Sequence, residues 1–90
     1  MLVALIARDK KGALPVRQEN RPAHVEYLQS GTVVQQAGPL LDDAGEMCGS
    51  LVILDVADMA EAEPWVAGDP YGKAGLFDTV ELIPWNRVIG

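Results

Sequence analysis

The chain has 90 residues, 49% of them hydrophobic, and its 7 basic and 13 acidic residues leave a net charge of −6. One domain over residues 1–90 is expected, and it buries roughly two-thirds of the surface that the unfolded chain exposes. The negative charge argues against a nucleic-acid partner and an anionic membrane surface. A single Cys48 permits no internal disulfide, and the apolar start lacks a signal peptide's basic residues, so a cytoplasmic protein is predicted.

The first elements read as a strand and a long helix. Leu2–Ala7 is a short apolar run that ends in a charged loop, which indicates a strand. Helical spacing covers Ala13–Ser30, and Gly31 is a typical helix stop. Pro22 either kinks this helix or lies in the first turn of a second helix that Asn20 caps.

Two further strands and a turn follow. Thr32–Ala37 alternates between β-branched and polar residues, and Gly38-Pro39 is expected to end this strand. Asp42–Gly45 has the composition of a hairpin turn. Leu51–Val56 is the strongest strand in the chain.

The last third predicts a helix, a single helical turn and a strand. Asp58 is a candidate cap for a helix over Met59–Ala67 that ends at Gly68. Asp69 before Pro70 is a second cap, followed by one turn that Gly75 stops. The final strand is predicted over Phe77–Ile83, with Pro84 suited to a sheet edge.

The element order is β-α-β-β-α-β, which predicts an α+β fold of the ferredoxin-like type, with a four-stranded antiparallel sheet and helices on one face. Leu2–Ala7 and Leu51–Val56 are the candidates for the two central strands, and both are apolar on both alternating faces. Two helices cover only one face of such a sheet, and a solvated second face would carry polar residues. The second face is therefore expected to pack against a second copy of the chain, giving a homodimer through the sheet.

His24 is the only histidine of the chain. An unperturbed imidazole titrates at about pH 6.5, so it can take up and give back a proton near neutral pH. A carboxylate that holds one ring nitrogen leaves the other free to act on a substrate. A histidine on a helix face can equally well pack or hydrogen-bond without reacting, and this bland interpretation stays open on the residues alone.

Several short motifs follow one another along nearly the whole chain. They are Arg21-Pro22-Ala23-His24, Ala37-Gly38-Pro39-Leu40, Gly49-Ser50, Asp69-Pro70-Tyr71, Gly75-Leu76-Phe77 and the Ile83-Pro84-Trp85 ending. Each motif is weak alone, but their joint order and spacing is specific. In this order and spacing the chain resembles the YciI-like (YCII-related) family.

The resemblance implies a ferredoxin-like fold that dimerises as an α+β barrel. It also implies a paired histidine and aspartate at the mouth of a pocket, carried here by His24 and Asp69. The few activities known in the family include dehydrochlorination of chlorinated hydroxyhydroquinones in the degradation of aromatic compounds. Asp69 is at the same time the residue that helix capping demands; one carboxylate oxygen could cap while the other accepts from the imidazole.

Other side chains have weaker claims to a site. Arg17 lies seven positions before His24, so both can project from one helix face, and an arginine there could bind an anionic or phenolate oxygen. A solvated surface arginine is an equally open interpretation. Ser50 is expected to begin a strand and could hydrogen-bond a ligand. A Ser-His-Asp hydrolase is a weak alternative, because no nucleophile elbow surrounds Ser50. Tyr71 is expected to be a core or interface aromatic.

The leading hypothesis is a lyase that needs no cofactor and no metal and acts on a chlorinated, hydroxylated ring as its small-molecule substrate. His24 would be the general base, Asp69 would fix its tautomer, and Arg17 or Ser50 would hold a ring oxygen. One alternative is a dimeric module that binds a small metabolite without turnover. Another is an isomerase of the muconolactone type, in which no chloride leaves.

Overall fold

The computed structural model describes residues 1–90 and has the expected order of elements. The four strands form one antiparallel sheet in the order β2-β3-β1-β4, so the two predicted central strands are central. The chain therefore has an α+β ferredoxin-like fold. Its elements are β1 (Leu2–Asp9), α1 (Leu14–Gln29), β2 (Val34–Leu41), β3 (Met47–Asp55), α2 (Met59–Gly68), α3 (Pro70–Lys73) and β4 (Phe77–Trp85).

Helix α1 runs through Pro22 without interruption, so the alternative of a second helix capped by Asn20 is wrong. The side-chain amide of Asn20 instead donates to the Val16 carbonyl oxygen one turn earlier, at 2.9 Å. Pro22 costs the helix one hydrogen bond because it has no N–H. The helix nevertheless continues, because its inner face is held down by the buried side chains of Arg17 and His24. None of the three helices is long and apolar enough to cross a membrane.

Strand β2 continues through Gly38 and Pro39 to Leu41, so the expected end of this strand is wrong. Because β2 is an edge strand, the N–H that Pro39 lacks is not needed for a second neighbour. Strand β3 begins at Met47, four residues earlier than Leu51. Ser50 therefore lies within this strand and not at its start, which is a second correction.

Strand β4 occupies the opposite edge of the sheet, the position to which Pro84 was predicted to be suited. The strand extends to Trp85, two residues beyond the expected end at Ile83. The predicted hairpin turn between β2 and β3 is also present. Asp42 Oδ1 accepts hydrogen bonds from two backbone amides of the turn at 2.9 Å, and Gly45 adopts a left-handed φ of 79°.

The two faces of the sheet differ in what covers them. Val3, Leu5 and Ala7 of β1 are buried, together with their partners on β3, and form the core under the helices. Residues that lie directly opposite each other in an antiparallel pair share a face. The register therefore places Ile6 and its partner Leu51 on the face turned away from the helices. The alternate residues of β1, Leu2 and Ala4, lie on this same face.

Candidate functional site

His24 and Asp69 meet although 45 positions separate them in the chain. His24 projects from the buried face of α1, and Asp69 lies at the junction between α2 and α3. His24 Nδ1 is 2.8 Å from Asp69 Oδ1, and the two side chains are only 8% and 3% exposed. An ionised carboxylate can only accept, so Nδ1 is the donor of this hydrogen bond. When the ring carries a single proton, the lone pair is then on Nε2.

Asp69 also caps helix α3, and both of its roles use the same oxygen. Asp69 Oδ1 accepts from the Tyr71 backbone N–H at 3.0 Å as well as from His24 at 2.8 Å. The prediction that one carboxylate oxygen caps the helix while the other accepts from the imidazole is therefore wrong. The helix start orients the carboxylate, and the carboxylate in turn orients the imidazole, so the local turn and the ring form one rigid unit.

The Tyr71 ring stacks on the imidazole of His24, with ring centroids 3.8 Å apart and planes 15° apart. The Phe77 and Tyr71 rings form a T-shaped pair, with their centroids 6.1 Å apart. The imidazole is thus held by a hydrogen bond in its plane and by an aromatic ring against its face. These contacts leave His24 Nε2 in one position.

Arg17 is almost completely buried, with 2% of its surface exposed. Its Nε and Nη2 donate to the two carboxylate oxygens of Asp9 at 2.7 and 2.8 Å, and Nη2 also donates to Ser50 Oγ at 3.0 Å. Burial alone would lower the pKa of Arg17, but the hydrogen bonds and charge of Asp9 outweigh it and raise that pKa. The guanidinium is a fixed, permanently charged group.

A cavity of about 500 Å³ opens beside these groups, between α1, β2 and β3. Arg17, His24, Ser50 and Tyr71 line it. Asp69 lies behind His24, in contact with it. The structure thus brings the four predicted site residues, His24, Asp69, Arg17 and Ser50, into one assembly. Ser50 Oγ accepts from Arg17 and makes no hydrogen bond to His24, so the arrangement offers no support for a hydrolase with a serine nucleophile.

Two residues of this assembly were missed by sequence reasoning. Asp9 shares the alternation of Val3, Leu5 and Ala7, which places its side chain on the helix face of β1. That parity was a usable signal for a buried charge. Tyr71 is buried in the core as expected, with 1% of its surface exposed, but it also forms part of the cavity wall, which the sequence did not indicate. Nothing in its immediate sequence distinguishes these two locations.

Gly49 explains how β3 brings Ser50 so close to β1. A side chain at position 49 would collide with the carbonyl oxygen of Ala7 on the neighbouring strand and would touch Leu40. Only glycine allows the backbone to approach this closely. The Gly49-Ser50 pair therefore serves the site through the spacing of the strands as well as through the serine hydroxyl.

The model of the YCII-related domain matches residues 1–86 of the chain. The chain belongs to the YCII-related family. It is 34% identical to the protein YciI of Escherichia coli O6:H1, over 98% of this chain and 99% of the relative. An uncharacterised protein of Haemophilus influenzae is 30% identical, over 98% and 99% of the two chains.

Solved structures add a relative of this YCII-related protein with a described ligand. The 5-chloro-2-hydroxyhydroquinone dehydrochlorinase TftG from Burkholderia phenoliruptrix AC1100, in complex with 2,5-dihydroxybenzoquinone, superimposes with a TM-score of 0.87 at 34% identity, covering 96% of this chain and 94% of that one. A NIPSNAP domain protein from Burkholderia xenovorans shares the fold alone, with a TM-score of 0.54 at 15% identity over 100% and 98% of the two chains. The likeness to the dehydrochlorinase supports a small-molecule enzyme of the YCII-related family.

Proposed function

We propose that this protein is a cofactor-independent lyase that removes hydrogen chloride from a chlorinated hydroxyhydroquinone. The observation that carries the proposal is the buried His24–Asp69 pair, whose free imidazole nitrogen belongs to a residue lining the cavity. The dehydrochlorinase with which the chain superimposes supports the choice of substrate class. Arg17 and Ser50 offer polar groups for a ring oxygen at the same cavity.

The chemistry needs a group that both takes and returns a proton. One hydroxyl proton of the ring moves to the carbon that bears chlorine, which becomes tetrahedral, and His24 Nε2 carries this proton. A second hydroxyl then loses its proton, and chloride departs with the electron pair of the carbon–chlorine bond. The ring becomes a hydroxylated quinone, and one proton and one chloride are released. No external oxidant or reductant is required.

Asp69 supports both steps. It holds the imidazole of His24 in one tautomer, and its negative charge stabilises the positive charge that the imidazole acquires when it takes up a proton. General acid–base groups placed in this way supply about 10²–10⁴-fold in rate. Arg17 favours the ring oxyanion that forms when a hydroxyl is deprotonated, because a cation shielded from water acts strongly on a nearby negative charge.

Chloride release tests the proposal directly. Wild type and His24→Ala are incubated with a panel of chlorinated hydroxyhydroquinones and chlorinated lactones, and chloride and absorbance spectra are followed together. Release by the wild type with a loss of about 10²–10⁴-fold in His24→Ala is expected. Equal rates in both proteins would contradict the mechanism. Thermal stabilisation by a compound without turnover would favour the binding module, and turnover without chloride would favour the isomerase.

We further propose that the sheet face turned away from the helices is covered by a second copy of the chain. Leu51, Ile83 and Trp85 on this face are 40%, 42% and 39% exposed, and the register places them with the apolar residues of β1. A contiguous apolar patch of this kind is typical of an interface. Sedimentation at micromolar concentration is expected to give a dimer, and a monomer would overturn this proposal.

A matched pair of variants separates the interface from general surface hydrophobicity. Leu51→Lys places a charge on the proposed interface and is expected to give a monomer. Val80 is also 40% exposed, but its pairing with Ala7 places it on the helix face of β4. Val80→Lys is expected to remain a dimer. If both variants dissociate equally, the interface does not lie on the proposed face.

A further inference from the structure

Tyr71 touches both charged parts of the site. Its ring stacks on His24, and Arg17 Cζ lies 4.5 Å from the centroid of the same ring. Tyr71 is only 1% exposed, and it nevertheless belongs to the cavity wall. The proposed reaction assigns no role to its hydroxyl, which is the one polar atom of the side chain.

The hydrogen bonds within the chain leave two donors unused at this end of the cavity. Arg17 engages Nε and Nη2 with Asp9 and Ser50, and neither of these partners takes a hydrogen bond from Nη1. The Tyr71 hydroxyl likewise donates to no group of the chain. Its neighbour Arg17 carries donors only, and the other hydrogen bonds of Tyr71 are made by its backbone N–H and carbonyl oxygen. No side-chain nitrogen or oxygen that is fully shielded lacks a partner. Both groups therefore open on the cavity that their residues line.

The electrostatics keep the phenol a donor. Burial raises the pKa of Tyr71 above its usual value of 10.0. The positive charges of Arg17 and Arg21, and the contact of Arg17 with the phenol oxygen, oppose but do not cancel this effect. The hydroxyl is therefore protonated at neutral pH and can donate. A protonated phenol beside a guanidinium presents two donor groups and no negative charge, which favours an oxyanion over a neutral ether oxygen because hydrogen bonds to a charged acceptor are stronger.

We propose that the Tyr71 hydroxyl and Arg17 Nη1 together bind one ionised ring oxygen of the ligand, and that Tyr71 is thereby a residue that selects ring oxyanions over neutral ring ethers. The choice of a hydroxylated ring as ligand rests on the proposed function. Hydrogen bonds to an ionised acceptor are roughly twice as strong as those to a neutral one, so two donors that meet at one oxygen discriminate between an ionised and an etherified ring oxygen. The bound oxygen then lies at one end of the cavity, beside the stacked His24 ring that acts on the rest of the molecule.

Equilibrium binding measures this selectivity without catalysis. The probes are 2,5-dihydroxybenzoquinone, which is ionised at neutral pH, and its uncharged 2,5-dimethoxy ether, each titrated by absorbance into wild type and Tyr71→Phe. Phenylalanine keeps the ring that packs on His24 and removes only the hydroxyl. The dissociation constant of the dihydroxyquinone is expected to rise about tenfold in Tyr71→Phe, the effect of one hydrogen bond to a charged group. That of the dimethoxy ether is expected to stay within about twofold.

Tyr27→Phe is the matched control. The Tyr27 hydroxyl donates to the Trp65 carbonyl oxygen at 2.6 Å, outside the cavity that contains His24. Its removal deletes a tyrosine hydroxyl of the same protein and is expected to leave both dissociation constants unchanged. Thermal unfolding of all three proteins shows whether either variant has lost its structure. In the chloride assay, Tyr71→Phe is expected to raise KM more than it lowers kcat, because the oxygen is bound in the ground state as well.

Each result decides something. Equal affinity of wild type and Tyr71→Phe for the dihydroxyquinone would overturn the role of Tyr71, even if the wild type releases chloride. Weakened binding in Tyr71→Phe, in a wild type that releases no chloride from any compound, would uphold the role of Tyr71 and reject the lyase. If Tyr71→Phe weakens the binding of the dimethoxy ether as much as that of the dihydroxyquinone, Tyr71 only shapes the cavity, and the proposal fails. Absence of binding by the wild type to the dihydroxyquinone would reject it as well.

Discussion

Asp58 and Asp69 have the same local role, and their surroundings make them different residues. Asp58 begins α2 on the surface, where its Oδ1 accepts from the Glu61 backbone N–H at 3.1 Å. Asp69 begins α3 in the interior with 2% of its surface exposed, and its Oδ1 accepts from a backbone N–H and from His24. Capping explains both positions, but only at Asp69 does the fold add a titratable partner. A local motif therefore identifies a cap, and a distant contact makes it a candidate catalytic group.

The strongest test of this comparison replaces both aspartates by serine, which caps helices well. Asp69→Ser is expected to lower chloride release by about 10²–10⁴-fold, because the imidazole loses the acceptor that sets its tautomer. Asp58→Ser is expected to change the rate by less than about twofold, since surface substitutions of this kind have small effects. Full activity in Asp69→Ser would show that this residue is only a cap.

A third aspartate extends the comparison to buried charge. The carboxylate of Asp9 is 5% exposed and holds Arg17, whereas that of Asp55 is 55% exposed and lies 3.4 Å from the terminal amine. Asp9→Ala is expected to lower the free energy of unfolding by about 3–5 kcal/mol, because the buried guanidinium loses its partner. Asp55→Ala is expected to cost less than about 1 kcal/mol. Urea denaturation measures both values.

The charge itself can be separated from lost packing at Asp9. The double variant Asp9→Leu with Arg17→Met removes both charges at once and is expected to recover most of the stability lost in Asp9→Ala. If the double variant is as unstable as Asp9→Ala, the ion pair is not the reason for the loss. The double variant also lacks the proposed oxyanion-binding group, so it is expected to bind 2,5-dihydroxybenzoquinone poorly despite being folded.

The surface cap has a smaller, purely structural effect. Asp58→Ala is expected to lower the free energy of unfolding by about 1 kcal/mol, since the first turn of α2 loses one of its hydrogen bonds. Ligand affinity is expected to stay unchanged, because Asp58 does not line the cavity. If Asp58→Ala weakens ligand binding as much as Tyr71→Phe does, α2 contributes to the site, and Asp58 and Asp69 do not differ in the way described above.

The smallest expected effect concerns alkaline pH. Burial raises the pKa of Tyr71 and of Tyr27 above 10.0. The folded state therefore holds these two protons more tightly than the unfolded state, so their stabilising effect is complete below about pH 10 and falls as the pH rises through the folded pKa values. Urea midpoints measured between pH 8 and 11 are expected to decline at the alkaline end. The decline is expected to be shallower in the Tyr27→Phe, Tyr71→Phe double variant.

Local signals determined most of the fold before any contact was known. Asp58 and Asp69 indicate helix starts, Gly45 indicates a turn, and short apolar runs identify the two central strands, because each of these signals depends on neighbouring residues only. The predictions from sequence are wrong where a residue distant in the chain decides whether an element continues. Gly38-Pro39 would stop a strand in isolation, but β2 is an edge strand and tolerates the missing donor.

The site divides in the same way. The motifs around His24 and Asp69 marked these residues through a family resemblance, and Arg17 followed from its helical spacing to His24. The partnership of Arg17 with Asp9, and the place of Tyr71 between a guanidinium and an imidazole, could not be predicted from sequence. The reason is physical: spacing along a helix states which face a side chain occupies, whereas its partner on another element depends on how the sheet and helices pack.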